Sequence, residues 1–471
     1  MLGMQIDTSR RWMRSRGVRC GRASHRQHPK ALTPPPPRFT LPRAAFAAPE
    51  PAMSAQETLS QPLTLPRGQV IKNRLLKSAM SEALSDRTGY AAPELARLYG
   101  AWADGGIGLC ITGNVMVDRR ALGEPGNVVL EEGADRDALR AWAQAATRNG
   151  TQCWVQLNHP GKQAPKGLNR ENVAPSAVPF RQEMQMMFPT PRALTDAEIR
   201  DILARFTRAA RLVQEAGFSG VQIHGAHGYL VSQFLSPHHN QRTDDWGGTP
   251  EKRRHFVLTM LADMRAAVGP DFPIGIKLNS ADFQRGGFSE EESMDTIRAL
   301  ADAGIDLIEI SGGTYEAPVM TGVNAQRAVK DSTRQREAYF LEFAEKARRI
   351  VATPLVVTGG FRSAQGMADA IASGAVDMVG IARALAVEPD LPNRLLAGHE
   401  PRYAILPRTT GIAALDRSGL METAWYAVQL RRIGRGQAPL PRMSPWRVLA
   451  GIVWAQLRRG RIGPPKRLRA V

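Results

Sequence analysis

The chain has 471 residues, enough for a (β/α)8 barrel of roughly 250 residues with extensions at both ends. Its formal net charge of +18 resembles that of a nucleic-acid-binding protein. However, residues 1–52 carry +8 and residues 401–471 carry +12, which leaves −2 for residues 53–400. The positive charge therefore belongs to the two ends. Because no nucleic-acid-reading motif accompanies it, we expect no nucleic acid partner.

The three cysteines, Cys20, Cys110 and Cys153, include no CxxC pair, so we expect neither a zinc site nor an iron–sulfur cluster. Cys110 and Cys153 lie in apolar segments, which is typical of buried thiols in a reducing compartment. No apolar run reaches about 18 residues, so the sequence predicts no membrane-spanning helix. Together these features favour a cytoplasmic protein.

Residues 1–52 are rich in arginine, poor in acids and contain four consecutive prolines, Pro34 to Pro37. This composition cannot bury a core, so the segment is predicted to be disordered. Two interpretations remain open, a transit-type leader and upstream sequence read from too early a start. The ordinary composition that begins at Met53 favours the second interpretation.

Eight short apolar segments follow, and amphipathic segments separate them. The apolar segments are 74–80, 108–115, 152–157, 220–225, 273–279, 306–311, 354–359 and 377–382. The amphipathic segments are 93–104, 135–148, 195–216, 250–267, 289–302, 336–350, 364–373 and 384–397. This alternation predicts an α/β fold, either a closed barrel or a doubly wound sheet. The count of eight, with no GxGxxG after the first strand, favours a (β/α)8 TIM barrel over residues 53–400.

Polar residues and glycines follow all eight predicted strands, where a barrel carries its active site. They are Ser78 to Ser81, Gly113-Asn114, Gln156 with His159, His224 with His227, Lys277 with Asn279, Ser311 to Gly313, Gly359-Gly360 and Arg383. Loops are polar by default, so each residue alone is compatible with an ordinary strand end.

The sharpest pattern is His224 at the end of the fourth strand, followed by His227 three residues later. A turn at the strand end would place both imidazoles on one side, where two neutral rings can each donate an N–H to one oxyanion. Tyr229 adds a phenolic proton donor. A capped strand end or a metal pair would give the same spacing, but no third metal ligand lies nearby.

A second pattern lies at the last two strands. Gly359-Gly360 follows the seventh strand and Gly380 to Arg383 follows the eighth. Barrels often build a phosphate site from these two loops with backbone N–H groups, and an arginine adds a charge-assisted contact. Glycines that only serve tight turns would look the same.

Several segments resemble motifs of the old yellow enzyme family of FMN-dependent ene-reductases and NADH:flavin oxidoreductases. The resemblance covers residues 57–400. It rests on the segments KNRLLKSAMSE (72–82), VQLNHPGK (155–162), IHGAHGYLVSQFLSP (223–237) and NQRTDDWGG (240–248). The motifs occur in the same order as in the family. On the basis of these segments, the chain is identified as a member of the old yellow enzyme family.

The resemblance implies a role for each candidate residue. Residues Ser78, Ala79, Met80 and Ser81 would line one edge of FMN. Gly113 would pass beneath the ring, Gln156 would bind its pyrimidine part, and Lys277 would place a cation near N1 and C2=O. The phosphate would be held by Gly359, Gly360, Ala382 and Arg383. His224 and His227 would bind the substrate carbonyl, and Tyr229 would deliver a proton.

The implied activity is hydride transfer from NADH or NADPH, through FMN, to the activated C=C bond of an α,β-unsaturated carbonyl compound. The alternatives are an NADH oxidase or demethylase that uses the same site, and a flavoprotein docked to a membrane or partner by its basic tail. The chain departs from the family at Lys277, where arginine is common, and at Ser81, where threonine or cysteine is common. It also departs at Ala382, where the family commonly has glycine. An alanine fits at this position only if its φ is negative.

Residues 401–471 continue beyond the barrel pattern as a basic tail. Two amphipathic helices are predicted, at 423–436 and 444–463, with Trp425, Trp446 and Trp454 among their apolar positions. The tail could pack across the barrel or form a homo-oligomer interface. Tryptophan beside arginine also suits peripheral contact with anionic lipid through residues 423–463.

Overall fold

The eight predicted strands form one closed, parallel barrel in the computed structural model, which describes residues 53–312, 329–412, 416, 420–451 and 454. The barrel strands are β1 (Leu75–Lys77), β2 (Leu109–Met116), β3 (Gln152–Asn158), β4 (Gly220–Gly225), β5 (Ile274–Asn279), β6 (Leu307–Ser311), β7 (Leu355–Thr358) and β8 (Met378–Ile381). Each strand pairs with the next, and Ile381 of β8 lies opposite Lys77 of β1, which closes the sheet. The predicted (β/α)8 fold is confirmed; the predicted leader, residues 1–52, lies outside the described residues.

Helices connect the strands at nearly the predicted positions. They are α1 (Pro93–Asp104), α2 (Arg136–Ala146), α3 (Asp196–Ala216), α4 (Pro250–Val268), α5 (Glu290–Asp302), α6 (Val329–Arg348), α7 (Ala364–Ala372) and α8 (Leu391–Leu396). The capping boxes that begin α3 at Thr195 and α5 at Ser289 are both formed.

The amphipathic segment 384–397 does not form one continuous helix. The chain forms a 3-10 helix, Arg383–Ala386, and starts α8 only at Leu391. The break lies around Pro389, which has no N–H to donate and disfavours helical geometry in Glu388 before it. The interruption matters for the site because it leaves Arg383 on its own short turn.

The amino-terminal end of the barrel is closed by apolar side chains. A two-stranded antiparallel ribbon, Leu63–Thr64 with Val70–Ile71, packs its buried residues against inward-facing side chains of the barrel strands. Trp154 belongs to this layer, and Gly220 and Gly275 make room for its ring, because a Cβ at either position would lie 2.7 Å from it. The open end is therefore the carboxyl end of the strands.

The described part of the basic tail packs on the barrel. Its helix α9 (Leu420–Gly434) lies against α1, and Trp425 is fully buried. Trp425 donates its Nε1–H to the Met443 carbonyl oxygen at 2.9 Å, and Arg97 of α1 donates to the Gly434 carbonyl oxygen at 2.7 Å. Residues 445–451 are helical as predicted, whereas residues 455–463 lie outside the description. Across the described residues, no helix combines the length and the apolar character that crossing a bilayer requires.

Candidate active site

A cavity of about 140 Å³ opens at the carboxyl ends of the strands. It is lined by Ala79, Met80, Ser81, Asn114, Gln156, His224, His227, Tyr229 and Lys277. Eight of these nine residues are predicted site residues; Asn114 was noted at its strand end without a role. The folded barrel therefore brings the predicted flavin edge and the predicted substrate clamp into one pocket.

The two histidines face each other at the end of β4. Their ring centroids lie 5.2 Å apart with the ring planes at 85°. His227 has a φ of +61°, a left-handed conformation that side chains rarely adopt. Its backbone N–H donates to Asn279 Oδ1 at 3.2 Å, and its Nε2 lies 2.7 Å from Ser311 Oγ. The neighbouring strand ends thus hold His227 in a strained but fully anchored turn.

Both imidazoles are neutral at neutral pH. Burial lowers the pKa of His227 to about 3, and the Lys277 ammonium adds to the effect, while Glu309 opposes it. Burial, His227 and Lys277 together hold the pKa of His224 well below its usual range. The His224 Nδ1 accepts the Ala226 N–H at 3.4 Å, which leaves the Nε2 to carry the proton. In the described ranges, no three His, Cys, Asp or Glu side chains are arranged to hold a metal ion.

Tyr229 stands beside the histidine pair. It is the residue before a short helix, Leu230–Leu235, and its ring centroid lies 4.7 Å from that of His224. Its side chain is largely buried yet lines the cavity. The structure thereby places a phenol next to the two imidazoles.

A buried carboxylate, Glu309 in the middle of β6, forms the floor of the site. Lys277 donates to its Oε1 at 2.8 Å, Thr358 donates to the same oxygen at 2.6 Å, and Gln222 donates to its Oε2 at 2.8 Å. Ser78 also donates to Glu309 and accepts from Lys277 at 2.8 Å. Burial raises the pKa of Glu309, but Lys277 and these hydrogen bonds outweigh it and lower the pKa to about 2.

Glu309 is linked to the cavity by a chain of hydrogen bonds through two side-chain amides. Gln156, which lines the cavity, donates its Nε2–H to Gln222 at 2.7 Å, and Gln222 in turn donates to Glu309. The Ser78 hydroxyl is committed to the same network, so Ser78 lies beneath the cavity and does not line it. The sequence reasoning missed Glu309; the only available signal was an acid inside the apolar segment DLIEIS.

Two further carboxyl groups, those of Glu82 and Glu124, hold residues of the segment Ser78 to Ser81 or of β2. Glu82 is buried, lies 3.6 Å from Lys77 Nζ, and accepts the Tyr99 hydroxyl and the Gly113 N–H. Gly113 does not line the cavity: a Cβ there would lie 2.5 Å from the Met80 carbonyl oxygen. The chain's own backbone and the Glu82 carboxylate, 2.6 Å from that Cβ position, therefore leave room only for glycine here.

Ser81 is held by a second acid. Its hydroxyl donates to Glu124, a residue in the loop after β2. Burial raises the pKa of Glu124 to about 7 and the nearby Glu82 carboxylate adds to the rise, while the hydrogen bond from Asn127 opposes it. Nothing in the linear pattern links position 124 to position 81, and sequence reasoning missed this contact.

The predicted phosphate residues lie beyond this cavity, at the ends of β7 and β8. Gly359 and Gly360 have φ values of +100° and +89°, which only glycine adopts readily. Ala382 has a φ of −123°, so the negative value that an alanine needs at this position is present. Arg383 follows it and pairs with Glu422 of α9 at 2.8 Å.

Comparison with known proteins identifies the family. Residues 58–401 match the sequence model of the NADH:flavin oxidoreductase / NADH oxidase family. The chain belongs to this family. It is therefore an oxidoreductase that uses flavin, with NADH as electron donor, as the old yellow enzyme resemblance implied.

Individual relatives agree with this placement. The enzyme is 39% identical over 362 residues to the NADH-dependent flavin oxidoreductase iliE of Hypocrea jecorina, covering 72% of this chain and 89% of that one. It is 36% identical over 414 residues to the NADH-dependent flavin oxidoreductase iccE of Talaromyces variabilis, covering 80% and 98%.

Solved structures are similar across the barrel. A complex of 2-naphthoyl-CoA reductase with 2-naphthoyl-CoA superposes with a TM-score of 0.67 and 25% identity, covering 73% of this chain and 53% of that one. The old yellow enzyme homologue from Zymomonas mobilis gives a TM-score of 0.63 at 23% identity, covering 74% and 95%, and shows the shared fold.

The donor set of the enzyme fits FMN. The polar groups around the cavity are hydroxyl, amide and ammonium groups, which suit the oxygens and nitrogens of an isoalloxazine. Two left-handed glycines and an arginine follow at the ends of β7 and β8, where barrels commonly bind phosphate. The residues present therefore suit a cofactor that combines a polar ring system with a phosphate.

Proposed function

We propose that the enzyme reduces the activated C=C bond of α,β-unsaturated carbonyl compounds, with NADH or NADPH as the source of hydride. One observation carries the proposal: two buried, neutral imidazoles share the cavity with a phenol. This set can bind a carbonyl oxygen, stabilise the negative charge that develops on it, and supply a proton.

His224 and His227 are the proposed oxyanion clamp. Neutral rings donate N–H groups without holding a permanent positive charge, so they favour a carbonyl compound over a resident anion. Their donation polarises the carbonyl and draws electron density away from the β-carbon. The strain at His227 is offset by its bonds to Asn279 and Ser311, which keep the ring oriented before substrate arrives.

Tyr229 is the proposed proton donor. Its ring lies against His224, so a carbonyl bound between the histidines has its α-carbon within reach of the phenolic side of the cavity. A phenolic O–H can pass its proton to the enolate as that enolate forms. Solvent protonation is the competing route.

Residues in and around the cavity are the proposed FMN site. Ser78, Ala79, Met80, Ser81, Gly113, Gln156 and Lys277 would hold the ring, and Gly359, Gly360, Ala382 and Arg383 would hold the phosphate. Bound FMN supplies the hydride chemistry between nicotinamide and substrate. Lys277 brings a cation to this site, and Glu309 offsets part of that charge at 2.8 Å.

A second candidate function is oxidation of NADH by dioxygen. It is favoured by a relative, the NADH oxidase of Thermoanaerobacter brockii, which is 32% identical over 337 residues and covers 70% of this chain and 50% of that one. A demethylase would use the same site. These alternatives leave the two histidines without a carbonyl to bind, which is why we rank them second.

An anaerobic experiment separates the candidates. The purified enzyme, reconstituted with FMN, is reduced with one equivalent of NADH or NADPH and mixed with 2-cyclohexenone under nitrogen. Our proposal predicts rapid return of the oxidised flavin spectrum and formation of cyclohexanone. Reoxidation only when oxygen is admitted would favour the oxidase.

The tail supports a separate proposal of peripheral membrane contact. Trp446 and Trp454 are 50% and 56% exposed, in contrast to the buried Trp425, and arginines flank them in the sequence. Co-sedimentation with vesicles containing phosphatidylserine tests it by comparing the full chain with a Trp446→Ser/Trp454→Ser variant. Equal pelleting would leave the tail as a packing element or a homo-oligomer interface.

We also propose a cytoplasmic location. The two described cysteines, Cys110 and Cys153, are both free and buried thiols, which is the expected state in a reducing compartment. Fractionation of cells expressing the tagged full chain would test this proposal.

A further inference from the structure

The basic tail reaches the proposed phosphate site through one ion pair. Glu422, in the first turn of α9, accepts a hydrogen bond from Arg383 Nη1 at 2.8 Å. Arg383 begins the 3-10 helix that follows β8, so the contact joins the tail to the carboxyl end of the barrel. The Glu422 side chain is 17% exposed and the Arg383 side chain is 38% exposed, so solvent screens the ion pair only in part.

Glu422 is held firmly by the packing of α9. Trp425, one turn further along, is fully buried and bonded to Met443, and the Arg408 guanidinium lies 4.1 Å from its ring centroid. At its other end α9 receives a hydrogen bond from Arg97. The ion pair therefore joins Arg383 to a fixed anchor, unlike a surface pair between two mobile side chains.

The geometry leaves most of Arg383 available for a ligand. A guanidinium has five N–H donors in a rigid plane, and the Glu422 contact is made at Nη1. The remaining donors can form the paired contacts with phosphate oxygens that arginine favours. Gly359 and Gly360 follow the neighbouring strand β7 in left-handed conformations.

We infer that Glu422 is a positioning residue for the cofactor phosphate, so that the tail completes the FMN site of the barrel. The inference rests on the proposed assignment of Arg383 to the phosphate. Glu422 orders a flexible side chain before FMN binds, which removes an ordering cost from binding. The negative charge of Glu422, which lies on the Nη1 side of the guanidinium, repels the phosphate and offsets part of this gain in binding free energy.

The test compares FMN with riboflavin, which has the same ring and no phosphate. Full-length protein is stripped of flavin, and both dissociation constants are measured by flavin fluorescence for the natural chain, Glu422→Ala, Glu422→Gln, Arg383→Ala and the double variant Glu422→Ala/Arg383→Ala. Arg97→Ala, which removes a tail contact away from Arg383, is the matched control. Circular dichroism confirms that each variant is folded.

The expected result is selective for the phosphate. Glu422→Ala weakens FMN binding by about 3- to 10-fold and leaves riboflavin binding unchanged, as loss of one pre-ordered side chain predicts. Glu422→Gln, which keeps an acceptor for Nη1, loses less. Arg383→Ala weakens FMN binding by about 10- to 100-fold. The double variant matches Arg383→Ala, because Glu422 acts only through Arg383.

Other outcomes overturn the inference in distinguishable ways. Tighter FMN binding in Glu422→Ala would mean that the carboxylate competes with the phosphate. Equal loss of FMN and riboflavin, in this variant or in Arg97→Ala, would mean that the tail acts only on folding. If FMN binding is unchanged in Glu422→Ala but weakened in Arg383→Ala, the role of Glu422 is refuted and the proposed phosphate site stands. An unchanged Arg383→Ala would refute the proposed phosphate site as well.

Discussion

Replacing His227 by alanine tests the oxyanion clamp most sharply. The His227 side chain is buried, neutral and hydrogen-bonded to Ser311. Its proposed role is to bind the substrate carbonyl, so it has no proposed part in the reduction of flavin by NADH. We expect the oxidative half-reaction with 2-cyclohexenone to slow while flavin reduction by NADH changes little. The two half-reactions of one variant thus serve as each other's control.

The expected loss follows from the number of donors. Removing one of two oxyanion donors costs about 10²- to 10³-fold in rate, roughly 3–4 kcal/mol. His227→Asn keeps an N–H donor, so its loss should be nearer tenfold. With a pKa of about 3, only about 1% of His227 is protonated at pH 5. The rate that depends on this ring should therefore be flat from pH 8 to pH 5.

Stopped-flow absorbance of the flavin, recorded anaerobically at each pH, measures both quantities. An ionisation near pH 6.5 that disappears in His227→Asn would show that the imidazole titrates in the working range. Equal slowing of both half-reactions would show that the variant disturbs the flavin and not the carbonyl. Either result would refute the reasoning from a neutral donor pair.

Three further substitutions have definite expectations. Glu309→Gln leaves the Lys277 ammonium buried without its carboxylate, so Tm in a calorimetric scan at pH 7 should fall by about 4 °C, or about 3 kcal/mol. A rise in Tm would contradict this. Gly113→Ala places a Cβ 2.5 Å from the Met80 carbonyl oxygen and should cost about 1–3 kcal/mol in chemical denaturation. Tyr229→Phe should slow the oxidative half-reaction at least roughly tenfold in stopped flow and leave reduction by NADH unchanged; an unaltered rate would assign protonation to solvent.

The fold follows from sequence periodicity because each strand and helix carries its own local signal. Strands such as Met378–Ile381 are continuous apolar runs, as both faces of a barrel strand are covered. The capping boxes at Thr195 and Ser289 mark helix starts from four residues alone. The amphipathic segment 384–397 shows how Pro389 interrupts a helix that the amphipathic pattern alone would continue.

The site is predictable only in part because its charges pair across strands. Glu309 lies directly opposite Lys277 in the register of β5 and β6, a relation that no single strand encodes. Glu124 reaches Ser81 from a loop 43 residues away, and Glu422 reaches Arg383 from the tail. Residues at strand ends were found because the barrel topology places them together; their partners depend on tertiary packing.

The central claim is that the histidine pair binds the carbonyl oxygen of an α,β-unsaturated compound, and that the C=C bond of the same compound receives the hydride. The most direct measurement is anaerobic reduction of the FMN-loaded enzyme with (4R)-[4-²H]- or (4S)-[4-²H]-NADH followed by 2-cyclohexenone, with mass analysis of the product. The account predicts deuterium at the β-carbon of cyclohexanone with one of the two donors, and a loss of about 10²- to 10³-fold in His227→Ala. No cyclohexanone, or undiminished product from His227→Ala, would contradict it.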